Sequence, residues 1–63
     1  MEAHQQRVID EKMELDEKLS KLTAFFNTQI FASLPEAEQN RLRRQQFAMT
    51  DYSTILGERI ANF

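Results

Sequence analysis

The chain is predicted to be all-α: an antiparallel hairpin of two helices, over about 3–31 and 34–62, that assembles into a symmetric helical bundle. Three observations predict it. One glycine and one proline leave little punctuation for strands and turns, and no segment alternates apolar with polar residues. Apolar residues recur every seven positions in each half. Between the halves lies "IFASLPEAEQ", residues 30–39, which sets a helix start directly behind a helix end.

In the first helix Val8, Leu15 and Leu22 form the seven-residue repeat, and Leu19 and Phe26 follow Leu15 and Leu22 by four, making one apolar stripe. Lys12 takes the matching place after Val8, so the stripe weakens there. The helix is expected to stop near Phe31. At the turn, Ser33 is predicted to be the N-cap of the second helix, with Glu36 three residues on completing a capping box. Pro35 suits a first turn, which needs no donor from it, and disfavours helical geometry at Leu34. Glu36 and Glu38 place negative charge at the positive end of the helix dipole.

The second helix repeats Leu42, Met49, Leu56 and Phe63 every seven, supported by Tyr52 and Ile60. Folding the chain back about Ala32 and Ser33 sets Leu22 against Leu42, Leu15 against Met49 and Val8 against Leu56. Each pair of residue numbers sums to 64, so the seams stay in register over three heptads. Gly57 interrupts this helix at a cost of about 0.5–1 kcal/mol relative to alanine, for which close packing is the favoured reason over close approach of a ligand.

A two-helix hairpin buries one stripe of each helix. Ile9, Met13, Phe25, Ile30, Phe31, Phe47, Ala48 and Ile55 lie off the seams. At roughly 1.5–3 kcal/mol for each large side chain fully buried, leaving them wet is a substantial loss for so small a fold, and a homo-oligomer is expected.

Sixty-three residues make one domain, 1–63, without room for an enclosed active site. The absence of cysteine excludes disulfides and thiolate metal sites, and one histidine, His4, builds no metal site alone. No apolar run approaches the roughly 20 residues of a membrane span, and no signal-peptide pattern opens the chain. A soluble, unprocessed protein of a reducing cytoplasm is predicted. The net charge of −2, from 8 Lys+Arg against 10 Asp+Glu, makes nucleic acid an unfavoured partner. The carboxylates between Asp10 and Glu17 form a solvated face, Ser20, Ser33 and Ser53 lack a nucleophile elbow, and there is no phosphate loop. No enzyme, no catalytic residue, no metal and no cofactor are expected.

The open end of the hairpin is the better candidate for a site. The register brings Gln6 and Arg7 near the turns carrying Arg59, with Glu11 and Tyr52 one turn farther in. Arginine suits bidentate phosphate contacts, tyrosine offers a stacking face, and glutamine can read amide or base edges. The bland alternative is that Arg7 and Arg59 pair with Glu11, Glu58 or an acid of a neighbouring subunit.

The runs "HQQRVIDEKMELDEKLSKLTAFF" and "RLRRQQFAMTDYSTILGERIANF" resemble a family of small tailed-phage proteins related to a crAss-like phage product. Its Q-R-V-x-x-E-x-x-x-L opening is matched by Gln6, Arg7, Val8, Glu11 and Leu15, and its Q-x-x-x-M-x-x-Y-x-x-x-L-x-x-R-I pattern by Gln45, Met49, Tyr52, Leu56, Arg59 and Ile60. In architecture alone, the hairpin is also similar to phage sponges, oligomers that hold cyclic-nucleotide or ADP-ribose-type defence signals between subunits with arginines and aromatic residues. The resemblance implies a phage protein of the host bacterial cytoplasm that binds a small anionic nucleotide without cleaving it, with Arg7, Tyr52 and Arg59 as contacts and Gln6 and Glu11 beside them. The rival expectation is an oligomeric interaction module that presents Arg41, Arg43, Arg44, Phe47 and Ile55 to a host protein and inhibits or redirects it.

Overall fold

In the computed structural model, which describes residues 2–63, α1 (Ala3–Phe25) and α3 (Glu36–Ala61) run antiparallel and pack along their length, joined through a single turn of helix, α2 (Gln29–Ala32). Among the described residues there is no strand, so the all-helical hairpin is the architecture observed. Its extents of 46 × 15 × 13 Å and radius of gyration of 14.5 Å describe a rod; a compact domain of this length would have a radius of about 11 Å. α1 opens with the Glu2 N–H donating to Gln5 Oε1 at 3.1 Å. α3 closes on Asn62, whose side-chain amide donates to Glu58 O at 2.7 Å.

The turn is built differently from the expected one. The first helix does not run on to Phe31. It ends at Phe25, and Thr28 restarts the chain: its hydroxyl donates to Phe25 O at 2.7 Å and accepts from the Phe31 N–H at 3.2 Å, the geometry of an N-cap. Ser33, expected to cap the second helix, instead ends α2. It lies in right-handed helical geometry, and its hydroxyl donates back to Ile30 O at 2.8 Å, so no capping box with Glu36 forms. Pro35 occupies the N-cap position of α3 and has no side-chain acceptor, leaving Glu36 and Glu38 to offset the helix dipole. Gln39 supplies what the backbone lacks: its amide donates to Phe31 O, Ala32 O and Leu34 O at 3.1, 3.3 and 3.0 Å. The carbonyls released by the break thereby gain a partner.

Aromatic packing fixes the hinge. Phe31 is buried, with its ring edge-on to Phe26 at 4.9 Å and Phe25 at 6.0 Å, and Arg43 lies 5.2 Å from the Phe31 centroid and 5.4 Å from that of Phe26. Phe31, expected among the spare apolar residues, therefore belongs to the core. Farther along, Val8 and Leu56, paired by the expected register, are both buried, and Leu56 is fully so. Leu15, Leu22, Leu42, Met49 and Ile60 are half-covered, as a two-helix rod dictates. Phe63, expected to continue the seam, and Tyr52, expected to support it, are exposed, the first because the seam has run out of facing helix and the second because it lies at the seam's edge. Met13, Ile30, Phe47 and Ile55 stay exposed, Phe47 at 80%. The total accessible surface is 4875 Å2, against about 4,200 Å2 for a compact monomer of this mass.

Candidate functional site

Three polar contacts tie α1 to α3: one joins Tyr52 to Glu11 on one side of the seam, and on the other lie a Lys12–Asp16–Ser53 network and a bond from the Gln46 amide to Thr23 Oγ1 at 3.2 Å. On the first side the Tyr52 hydroxyl donates to Glu11 Oε2 across the helices. Arg7 lies one turn from Glu11 toward the open end, and Arg59 two turns from Tyr52 in the same direction, so helical spacing sets all four residues along one side of the hairpin. Arg7 and Arg59 are exposed. Among the described residues the ion pairs are Lys12–Asp16, Lys21–Glu17 and Arg41–Glu38, and neither open-end arginine makes one. The pairing of Arg7 or Arg59 with Glu11 or Glu58 within the chain is thus not formed. Gln6 is turned elsewhere: its amide donates to Asp10 of its own helix at 2.9 Å.

The second side carries a network that the sequence did not announce. Lys12 Nζ donates to Asp16 Oδ2 at 2.8 Å and to Ser53 Oγ at 2.9 Å, and the Ser53 hydroxyl donates to Asp16 Oδ1. Every partner is satisfied, and Ser53 is buried. The hydrogen bonds from Lys12 and Ser53 hold the Asp16 carboxyl below its ordinary value of 3.8. The lysine that weakens the apolar stripe is therefore an interhelical tie. A β-carbon added at Gly57 would stand 3.4 Å from Lys12 Cε, an ordinary contact, so the lysine stem packs against the glycine without requiring it. One signal was available: Lys12 and Asp16 lie four apart, which is ion-pair spacing on a helix.

Residues of the rival site divide. Arg41 is paired with Glu38 at 2.8 Å, and Arg43 is stacked on the hinge aromatics. Arg44, Phe47 and Ile55 are exposed. Depressions in the surface are shallow; one is lined by Asp10, Met13, Glu14 and Glu17 and another by Gln46, Phe47 and Thr50. Neither includes Arg7, Tyr52 or Arg59. Among the described residues no group of three or more His, Asp or Glu side chains is placed to hold a metal ion, and no helix is long and apolar enough to cross a membrane.

One side of the hairpin thus carries two arginines without an ion pair among the described residues, beside a tyrosine braced by the Glu11 carboxylate. No curated protein and no solved structure matches the chain. The sequence model of the Sequestin family matches residues 2–62, nearly its whole length, and the chain belongs to that family.

Proposed function

We propose that this is a phage protein that sequesters, without cleaving, a cyclic nucleotide or ADP-ribose-derived immune signal in the cytoplasm of the bacterial host. It does so in pockets between the subunits of a homo-oligomer. The observation that carries the reading is the pair of exposed arginines, Arg7 and Arg59, unpaired among the described residues and flanking the Glu11–Tyr52 bond. The name of the family, Sequestin, supports a binding and non-catalytic role. A phosphate is the group that rewards two free guanidinium forks, because charge-assisted bidentate bonds are stronger than neutral ones. Tyr52 supplies a face on which a base can stack, and Glu11 holds its hydroxyl and so orients the ring. Gln6 stands beside this set and contacts ligand only by releasing Asp10. The exposed side of one hairpin covers little of a nucleotide, so a second subunit is needed to close the pocket.

The rival reading, a module that binds a host protein through Arg41 to Arg44 with Phe47 and Ile55, is the weaker one, since Arg41 and Arg43 already have partners within the chain.

Native mass spectrometry of the protein, alone and with a panel of cyclic di- and trinucleotides and cyclic ADP-ribose isomers, tests the proposal. A defined oligomer should gain ligand mass and release the ligand unchanged on denaturation. Recovery of a cleaved product, or indifference to the whole panel, would overturn the reading.

A further inference from the structure

Of the 8 lysines and arginines, half are already committed. Lys12, Lys21 and Arg41 are ion-paired, and Arg43 lies over the hinge aromatics. Among the described residues that leaves Arg7, Lys18, Arg44 and Arg59, and helical spacing gathers all but Arg44 on the side of the hairpin that carries Tyr52. Lys18 is seven residues beyond Glu11 on α1, and Arg59 seven beyond Tyr52 on α3. Two turns bring each side chain to within about 20° of the earlier one. The Glu11–Tyr52 bond fixes the two helices at its own level. Lys18 therefore stands about 10 Å to the hinge side of that bond, and Arg59 about 10 Å to the open side, at 1.5 Å per residue. Lys18 is exposed and unpaired among the described residues, although Glu14 lies four positions before it at ion-pair spacing. Across the seam from it stands Gln45, whose amide donates to Met49 Sδ at 3.8 Å, so the facing helix sets no acid against it. Glu11, the other acid on this strip, is engaged by the Tyr52 hydroxyl.

Direction decides what these cations can share. Side chains on a helix tilt toward its N-terminus. The N-terminus of α1 lies at the open end and that of α3 at the hinge. Lys18 and Arg59 consequently lean toward each other over the Glu11–Tyr52 bond, whereas Arg7 leans out past the open end. Stems of about 6 Å on each side bring the ammonium and guanidinium to roughly 9 Å apart, the width of a phosphate or pyrophosphate with a charged hydrogen bond of about 2.8 Å at either end. We infer that Lys18 is a further ligand contact, and that Lys18 and Arg59 clamp one phosphoryl or pyrophosphoryl group above Tyr52. The inference rests on the reading of this side as a nucleotide site and deepens it: the anion sits between two opposed cations, one from each helix, and Arg7 meets the ligand farther out.

Tyr52 is the sole tyrosine and the chain has no tryptophan, so tyrosine emission reports from this place alone. Titration with inorganic pyrophosphate at constant ionic strength should change that emission saturably. Lys18→Ala should raise the pyrophosphate dissociation constant about tenfold, the loss expected for one charged hydrogen-bonding group, and Arg59→Ala should do the same. Lys18→Arg keeps the cation and should recover most of the affinity. Lys21→Ala removes the same charge one turn away, from a lysine already paired with Glu17, and should bind as the parent does. An equal loss in Lys21→Ala would reduce the clamp to general attraction and overturn it. So would a Lys18→Ala protein that binds pyrophosphate as tightly as the parent, or a parent whose emission never saturates. The clamp and the nucleotide reading fail separately. A cyclic nucleotide captured equally by the parent and by Lys18→Ala refutes the clamp alone, whereas Lys18-dependent pyrophosphate binding with no member of the ligand panel captured refutes the nucleotide reading and leaves the clamp standing.

Discussion

At the hinge end Arg43 lies over Phe26 and Phe31, and the Gln39 amide serves three backbone carbonyls. At the open end, beyond Val8 and Leu56, Arg7 and Arg59 have no ion-pair partner among the described residues. The two ends use the same residue type for different purposes. A guanidinium committed to an aromatic face contributes to folding and has less to offer a ligand, whereas an uncommitted one contributes little to folding and keeps its donors. The hinge end therefore spends its arginine on packing, while the open end, held by Val8 and Leu56, leaves its arginines uncommitted. That division makes a test possible, since substitutions at the two ends should act on different measurements.

The largest effect is expected at Phe31. Truncating a buried aromatic to alanine costs about 3–5 kcal/mol, and a small hydrophobic core seldom supplies more than about 3–5 kcal/mol in all. Phe31→Ala should accordingly leave the chain largely unfolded by far-ultraviolet circular dichroism. A variant that melts like the parent would show that the hinge is not where the hairpin is fastened. Gln39 comes next. Gln39→Ala strands carbonyls that water satisfies only in part, for a loss of about 1–2 kcal/mol in urea unfolding. Gln39→Glu should be worse, because it turns a carboxylate with no donor toward three acceptors.

The hinge also shows where the sequence was legible. The seams were, because a seven-residue repeat in Val8, Leu15 and Leu22 and again in Leu42, Met49 and Leu56 encodes both the helices and the side on which they meet. The approximate place of the turn was legible from Pro35. The break after Phe25 was not, for neither glycine nor proline marks it, and its only local signal is Thr28 as a cap. Ser33 misled because its distance from Glu36 satisfies the capping-box pattern, while the second break uses its hydroxyl to end the preceding turn. The Lys12–Asp16–Ser53 tie was hidden for a different reason. A lysine in an apolar stripe looks like a flaw until the facing helix is seen to offer a buried hydroxyl. At the open end the sequence brought Glu11 and Tyr52 to the same place, and the structure joins them.

The Lys12–Asp16–Ser53 tie lies between the two ends and should make a smaller, pH-dependent contribution. Lys12 and Ser53 favour the Asp16 carboxylate, so its value in the folded chain lies below the ordinary 3.8. Between those two values the unfolded chain binds more protons, and stability must fall as pH falls. The contribution is fully present above about pH 4 and is lost as the pH drops through the folded value. Side-chain exposures of 30% for Lys12 and 45% for Asp16 keep it modest through solvent screening. Urea melts taken from pH 6 downward should show this acid limb, reduced in Asp16→Asn. An identical limb in that variant would assign the acid sensitivity to other carboxylates.

The smallest change in stability is expected at the residues proposed to matter most for binding. Arg7→Ala and Arg59→Ala remove exposed side chains that have no ion-pair partner among the described residues, so each should shift unfolding by no more than about 0.5 kcal/mol. The same substitutions should weaken capture of a nucleotide ligand about ten- to a hundredfold, the range expected for losing one charged hydrogen-bonding group at about 1.5–3 kcal/mol. Such a pairing of outcomes separates a ligand site from a structural one. If either arginine joined subunits instead, by pairing with an acid of a neighbouring copy, its loss would weaken assembly and make the melting temperature depend more steeply on protein concentration. Melts at several concentrations, set beside ligand titrations of the same variants, distinguish the two roles.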